Sequence, residues 1–96
     1  MSKLPILFLH GYESSGQGFK GEFLRTQFPG IYTPTLTGEL DPRFAQVDPI
    51  FNQHDSWVLI GSSFGGLMAT LLAINYPQKV SRLILMAPAL IPPFYT

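Results

Sequence analysis

Gly61-Ser62-Ser63-Phe64-Gly65 sets a serine between two glycines at the spacing G-x-S-x-G. The apolar run Trp57-Val58-Leu59-Ile60 before it reads as a strand, and the apolar stretch over residues 64–75 after it reads as a helix. A strand-to-helix turn of this spacing is sharp and strained and exposes the hydroxyl of its central serine at the end of a sheet. The residues two before and two after that serine must lack bulk, and Gly61 and Gly65 stand there. Gly66 adds room for helix-on-strand packing. The glycine spacing selects Ser63 over its neighbour Ser62. A hydroxyl held at the positive end of a following helix is a nucleophile suited to acyl transfer. An incidental serine in a glycine-rich turn would spell the same letters, and the strand–helix context is what favours the nucleophile.

Acyl transfer also needs two N–H groups aimed at the oxygen that becomes negative. Phe64, next after the nucleophile, supplies one from the turn. Tyr12, in His10-Gly11-Tyr12 at the end of an earlier apolar run, is placed to supply the other, with Gly11 giving the loop its freedom. His10 reads as a brace for this loop rather than a base, because in this motif the base follows the nucleophile in the chain. His54, the other histidine, lies before Trp57. At about 3.3 Å per strand residue it is separated from Ser63 by roughly 20 Å or more, against a hydrogen-bond reach of about 3 Å. Asp41, Asp48 and Asp55 precede the serine as well, and read as helix caps or solvated charges. Neither an acid nor a histidine for Ser63 is therefore expected within these residues.

Other chemistries fit less well. Gly16-Gln17-Gly18-Phe19-Lys20-Gly21 spells G-x-G-x-x-G, with Glu39 or Asp41 about 20 residues on, as a dinucleotide site wants. Residues 10–15, however, separate the first glycine from the strand end where it would be needed. Two histidines without cysteine make no metal constellation. No cofactor is implied.

Ninety-six residues make one domain at most. With 46% hydrophobic residues the chain is expected to fold, and six Lys+Arg balance six Asp+Glu. The absence of a basic surplus argues against nucleic acid and against a polybasic membrane patch. No apolar stretch reaches the roughly 20 residues of a membrane span. The chain has no cysteine, which excludes disulfides and thiol nucleophiles and fits a reducing cytoplasm.

The elements that must hold these residues alternate. Residues 4–9 form an apolar first strand. Ser14 and Gln17 open a helix as a capping box, Phe19, Phe23 and Phe28 repeat along it, and Pro29-Gly30 stops it. Residues 31–36 form a second strand, weakened by Pro34. Asp41 caps a helix with Pro42 at its first position; Phe44, Val47 and Phe51 repeat along it, and Pro49 splits or kinks it. A third strand leads to Ser63, the next helix ends at Tyr76-Pro77, and Arg82-Leu83-Ile84-Leu85-Met86 is the fourth. Strands alternating with helices imply three layers, helices on both faces of a short parallel sheet.

Together, Leu7-Phe8-Leu9-His10-Gly11, Thr33-Pro34-Thr35-Leu36-Thr37-Gly38 and Gly61-Ser62-Ser63-Phe64-Gly65-Gly66 resemble the α/β-hydrolase superfamily, and the loop over residues 9–15 looks most like small bacterial esterases. Thr35 departs from the pattern, standing where many members carry a structural Asp. The resemblance spans nearly the whole chain and implies a partial α/β-hydrolase fold with four strands in spatial order 2-1-3-4. It implies a serine hydrolase acting on a small-molecule ester or related acyl substrate, whose acid and histidine would follow strands beyond Thr96. The alternative is a truncated or degenerate hydrolase-like module that binds without catalysis. The last strand would be an edge, open to pairing with another copy of the chain unless the tail over residues 89–95 covers it.

Overall fold

Apolar runs with both faces to hide cannot lie on a surface, and in the computed structural model, which describes residues 4–12 and 15–86, they become a parallel sheet whose strands over residues 6–9 and 57–62 are largely buried. β1 (Ile6–Leu9), β2 (Trp57–Ser62) and β3 (Val80–Met86) lie in the order β1-β2-β3. Leu9 stands opposite Gly61, and Ser62 opposite Met86, so the three strands finish together at one end. Parallel neighbours need crossovers. These are α1 (Phe19–Gln27) and α2 (Leu40–Phe51) between β1 and β2, and α3 (Phe64–Asn75) with a short 3-10 turn (Pro77–Lys79) between β2 and β3.

The expected second strand is reduced to one residue. Tyr32 pairs with Leu7 as an isolated parallel bridge; its carbonyl accepts from the Phe8 N–H and its own N–H donates to the Ile6 carbonyl, both at 2.9 Å. The spatial order inferred from the sequence survives, but the ladder stops there because Pro34, two residues on, has no N–H to donate.

The period of two along the strands sorts the core. Leu7, Leu9, Trp57 and Leu59 face α2 and α3, joining Leu36, Val47, Phe51, Met68, Ala69 and Leu72. Phe8 and Ile60 face the other way and meet Leu24 and Ile31 near α1. The first face is much the thicker. Thin cover on the second has a cause in α1, which buries only Gly21 and Leu24 while Phe19, Phe23 and Phe28 all stand exposed, Phe19 at 85%. The phenylalanine repeat thus marks the outer side of α1 rather than its core side.

Helix α2 also departs from expectation at its start. Glu39, not Asp41, is the residue before the first turn, and it makes no side-chain cap. Pro49 does not split the helix, which runs on through it to Phe51 at the loss of the one bond its missing N–H would have made. The expected capping box does not open α1, which starts at Phe19 with Gly18 before it and no side-chain cap; Ser14 itself and the tail over residues 89–95 lie outside the described residues.

Candidate active site

Ser63 is the only non-glycine residue with positive φ among the described residues, at φ 57° and ψ −121°. Such backbone costs of order 1–3 kcal/mol and persists only where the surroundings enforce it. Three constraints do so. A side chain on Gly61 would meet the Gly65 carbonyl oxygen at 2.5 Å. One on Gly65 would run into the Leu9 carbonyl group and come within 2.6 Å of the His10 carbonyl oxygen. The Ser63 N–H donates to the Met86 carbonyl at 3.1 Å, fastening the turn to the end of β3. Ser63 is half-buried, whereas Gly61, Ser62, Phe64, Gly65 and Gly66 are all buried. Of the two neighbouring hydroxyls, Ser63 is the one that reaches the surface.

The loop after β1 comes to the same end of the sheet. A Cβ on Gly11 would lie 3.3 Å from the Ser63 Cβ and 3.8 Å from its Oγ. The loop's conformation is written in the side chain of His10, which is only 1% exposed. Its Nε2 accepts from the Leu36 N–H at 2.7 Å, so the ring proton sits on Nδ1, which donates to the Gly11 carbonyl at 2.7 Å. Burial holds the imidazole pKa below its ordinary value, with the bond to Gly11 opposing and the nearby Arg43 charge adding to the depression. With both ring nitrogens engaged, His10 has no atom left to accept the proton of Ser63.

Tyr12 turns its phenol away from the loop to donate to Glu39 at 2.6 Å, and its ring meets Phe64 edge to face with centroids 5.3 Å apart. The two residues expected to supply main-chain N–H groups are therefore in contact through their side chains.

Arg43 was not singled out by motif, yet it is fully buried against this loop. Its Nε donates to the Gly38 carbonyl at 3.1 Å and one terminal nitrogen to the His10 carbonyl at 3.1 Å. The other terminal nitrogen donates to the carbonyls of Gly11 and Tyr12 at 3.2 and 2.9 Å. The guanidinium carbon lies 5.0 Å from the Phe64 ring centre and 5.8 Å from that of Tyr12. Burial lowers the guanidinium pKa, partly offset by Tyr12 and Glu39. The signal for Arg43 was its spacing: it precedes Val47 and Phe51 by one and two helical steps of four, on the buried face of α2.

The remaining candidates lie elsewhere. His54, before the start of β2, bonds through Nε2 to the Tyr32 hydroxyl at 3.0 Å and packs on Trp57, at the end of the sheet away from Ser63. Asp41, Asp48 and Asp55 are exposed. Gly16 is pressed against the carbonyls of Thr33 and Pro34, and Gly21 against that of Gly16, so these glycines serve chain-on-chain contact. Thr35 takes up a structural task here, its hydroxyl accepting from the Gly16 N–H at 3.2 Å. No group of three or more potential metal ligands occurs among the described residues, and none of their helices is long and apolar enough to cross a membrane. A cleft of about 260 Å³ between Leu4 and Phe28 opens at the start of β1, remote from Ser63.

The chain is similar to known proteins. The sequence model of the family described as alpha/beta hydrolase fold matches residues 51–96. The chain is 30% identical over 107 residues to the abhydrolase domain-containing protein abhd-5.2 of Caenorhabditis elegans, covering 91% of this chain and 24% of that protein. It is 32% identical to the rat protein named 1-acylglycerol-3-phosphate O-acyltransferase ABHD5, covering 91% of this chain and 30% of the relative. The chain thus spans about a quarter to a third of the length of these relatives. Among solved structures, the pyrethroid hydrolase PytH superposes with a TM-score of 0.74 at 24% identity, over 99% of this chain and 44% of that one. An extracellular alpha/beta-hydrolase from a Paenibacillus species superposes with a TM-score of 0.70 at 20% identity, over 90% and 41%. The parallel sheet, its helices and the turn that joins β2 to α3 are a portion of an α/β-hydrolase fold.

Proposed function

We propose that the protein carrying this chain is a serine hydrolase of carboxylic esters or related acyl compounds, with Ser63 as its nucleophile. The observation that carries the reading is the backbone of Ser63, held at φ 57° where the strands end, with Gly11 facing its hydroxyl. Ser63 Oγ attacks the acyl carbon while a base takes its proton. The carbonyl oxygen, now negative, accepts from the N–H groups of Tyr12 and Phe64. Collapse expels the alcohol and leaves an acyl-serine, which water then hydrolyses. Both histidines of the chain are committed elsewhere, and no Asp, Glu or His follows Ser63. The base and its acid are therefore assigned to residues outside these 96.

Acyl transfer to an alcohol would use the same acyl-serine, and the acyltransferase name of the rat relative favours testing it. The full-length protein treated with a fluorophosphonate probe should be labelled at Ser63. Ser63→Ala should abolish labelling and turnover of p-nitrophenyl esters, and Ser62→Ala should not. Labelling that survives Ser63→Ala refutes the assignment; products formed with and without an added alcohol separate hydrolase from transferase.

A further inference from the structure

A buried arginine normally meets a carboxylate. Among the described residues, Arg43 gives four hydrogen bonds, all to main-chain carbonyls, three of them on consecutive residues of the loop after β1. A peptide unit is planar and trans, so a carbonyl oxygen fixed on one side directs the next residue's N–H to the opposite side. The Gly11 oxygen is held by two donors at once, Arg43 at 3.2 Å and His10 Nδ1 at 2.7 Å. That grip sets the plane of the peptide between Gly11 and Tyr12 and turns the Tyr12 N–H away from α2. The same guanidinium lies over the rings of both Tyr12 and Phe64, so one side chain touches both residues whose N–H groups would bind the oxyanion.

We propose that Arg43 is the positioning residue of the oxyanion hole, aiming the Tyr12 N–H by holding the carbonyls behind it and fixing its distance from Phe64 through their rings. The inference rests on the reading of Ser63, Tyr12 and Phe64 given above. Arg43 touches no reacting atom in this scheme; it acts through the loop. Lysine keeps the charge but offers a single nitrogen, which cannot span acceptors spread from Gly38 to Tyr12 or lie flat over two rings.

The test uses Arg43→Lys and Arg43→Met in the full-length protein, with p-nitrophenyl butyrate as substrate and an alkyl trifluoromethyl ketone as a ligand whose tetrahedral adduct requires the hole. Active-site titration with a fluorophosphonate corrects for any unfolded fraction. Removing one oxyanion donor costs about 10²- to 10³-fold in kcat. Misaiming one should cost Arg43→Lys about 10- to 100-fold in kcat, with KM changed less than about threefold and ketone affinity falling in parallel. The amide signal of Tyr12 should shift in the same variant. A folded Arg43→Lys that keeps kcat and ketone affinity within twofold overturns the proposal, as does failure of both variants to fold, which would make Arg43 a core residue only. If Ser63→Ala retains turnover, the reading of the nucleophile falls instead, and the Tyr12 amide signal still decides whether Arg43 aims that peptide.

Discussion

Gly65→Ala adds one methyl group where α3 crosses the end of β1. The new carbon would overlap the Leu9 carbonyl and sit 2.6 Å from the His10 carbonyl oxygen. Both are backbone atoms, so no rotamer change relieves the contact. Ordinary contact begins near 3.4 Å, so α3 must retreat from β1 by about 0.8 Å to clear His10 alone, and by more to clear Leu9. Overpacking of this kind costs typically 1–3 kcal/mol, and a wall of backbone sets the expected loss near the upper end, about 3 kcal/mol. The retreat carries Ser63 away from Gly11, and a displacement of about 1 Å can cost 10²-fold in rate. Gly11→Ala is the contrast. Its methyl would lie 3.3 Å from the Ser63 Cβ, a misfit of tenths of an ångström, and it should lower stability by less than about 1 kcal/mol while crowding the Ser63 hydroxyl. Urea unfolding gives the first quantity and the rate of fluorophosphonate labelling the second. A Gly65→Ala protein with an unchanged urea midpoint and labelling rate would refute the packing argument. Equal stability losses in the two variants would refute the distinction between them.

His10 favours its neutral form in the folded state, so the stability this preference supports is fully present above the unfolded value of about 6.5 and is lost as pH falls below it toward the depressed folded value. Melting temperature should therefore fall from pH 7 to pH 5, and His10→Asn should flatten that slope; an unchanged slope would contradict the burial assigned to the ring. His54→Ala should leave ester turnover of the full-length protein within a few-fold, and a loss of 10² or more, typical of removing an acid–base group, would refute the placing of His54 at the end of the sheet away from Ser63. Ile84 and Leu85 stand exposed on β3, which pairs on one side only in the described sheet. Expressed by itself, the 96-residue chain is expected to self-associate through that strand, and a single monomeric boundary in sedimentation would refute this.

The turn at Ser63 could be read from letters alone because its geometry excludes side chains at fixed offsets, and glycine is the only residue that meets that demand. The alternating elements were legible for a similar reason, since each strand face must find cover. Arg43 was not. A charge is ordinarily solvated, and nothing local distinguishes a guanidinium facing water from one facing carbonyls twenty or more residues earlier. Its place in the repeat with Val47 and Phe51 was the available clue. The aromatic repeat of α1 left its direction open, because helical spacing reports that residues share a face and is silent on which way the face points. The second strand shrank to Tyr32 because the letters 31–36 favour extension while pairing needs N–H groups that Pro34 cannot offer.

The bond from the Ser63 N–H to the Met86 carbonyl has a bearing on the order of folding. It joins the turn to a strand that arrives only after α3 has formed and crossed back over the sheet. The contact spans one helical crossover, so α3 must fold back over the sheet before it can form. A growing chain that has made β1, α2 and β2 already owns the serine, but not the fastening that keeps its backbone at positive φ. If Ser63 is the nucleophile proposed above, its backbone is fastened only when β3 docks, and exchange of the Ser63 amide proton should report that docking.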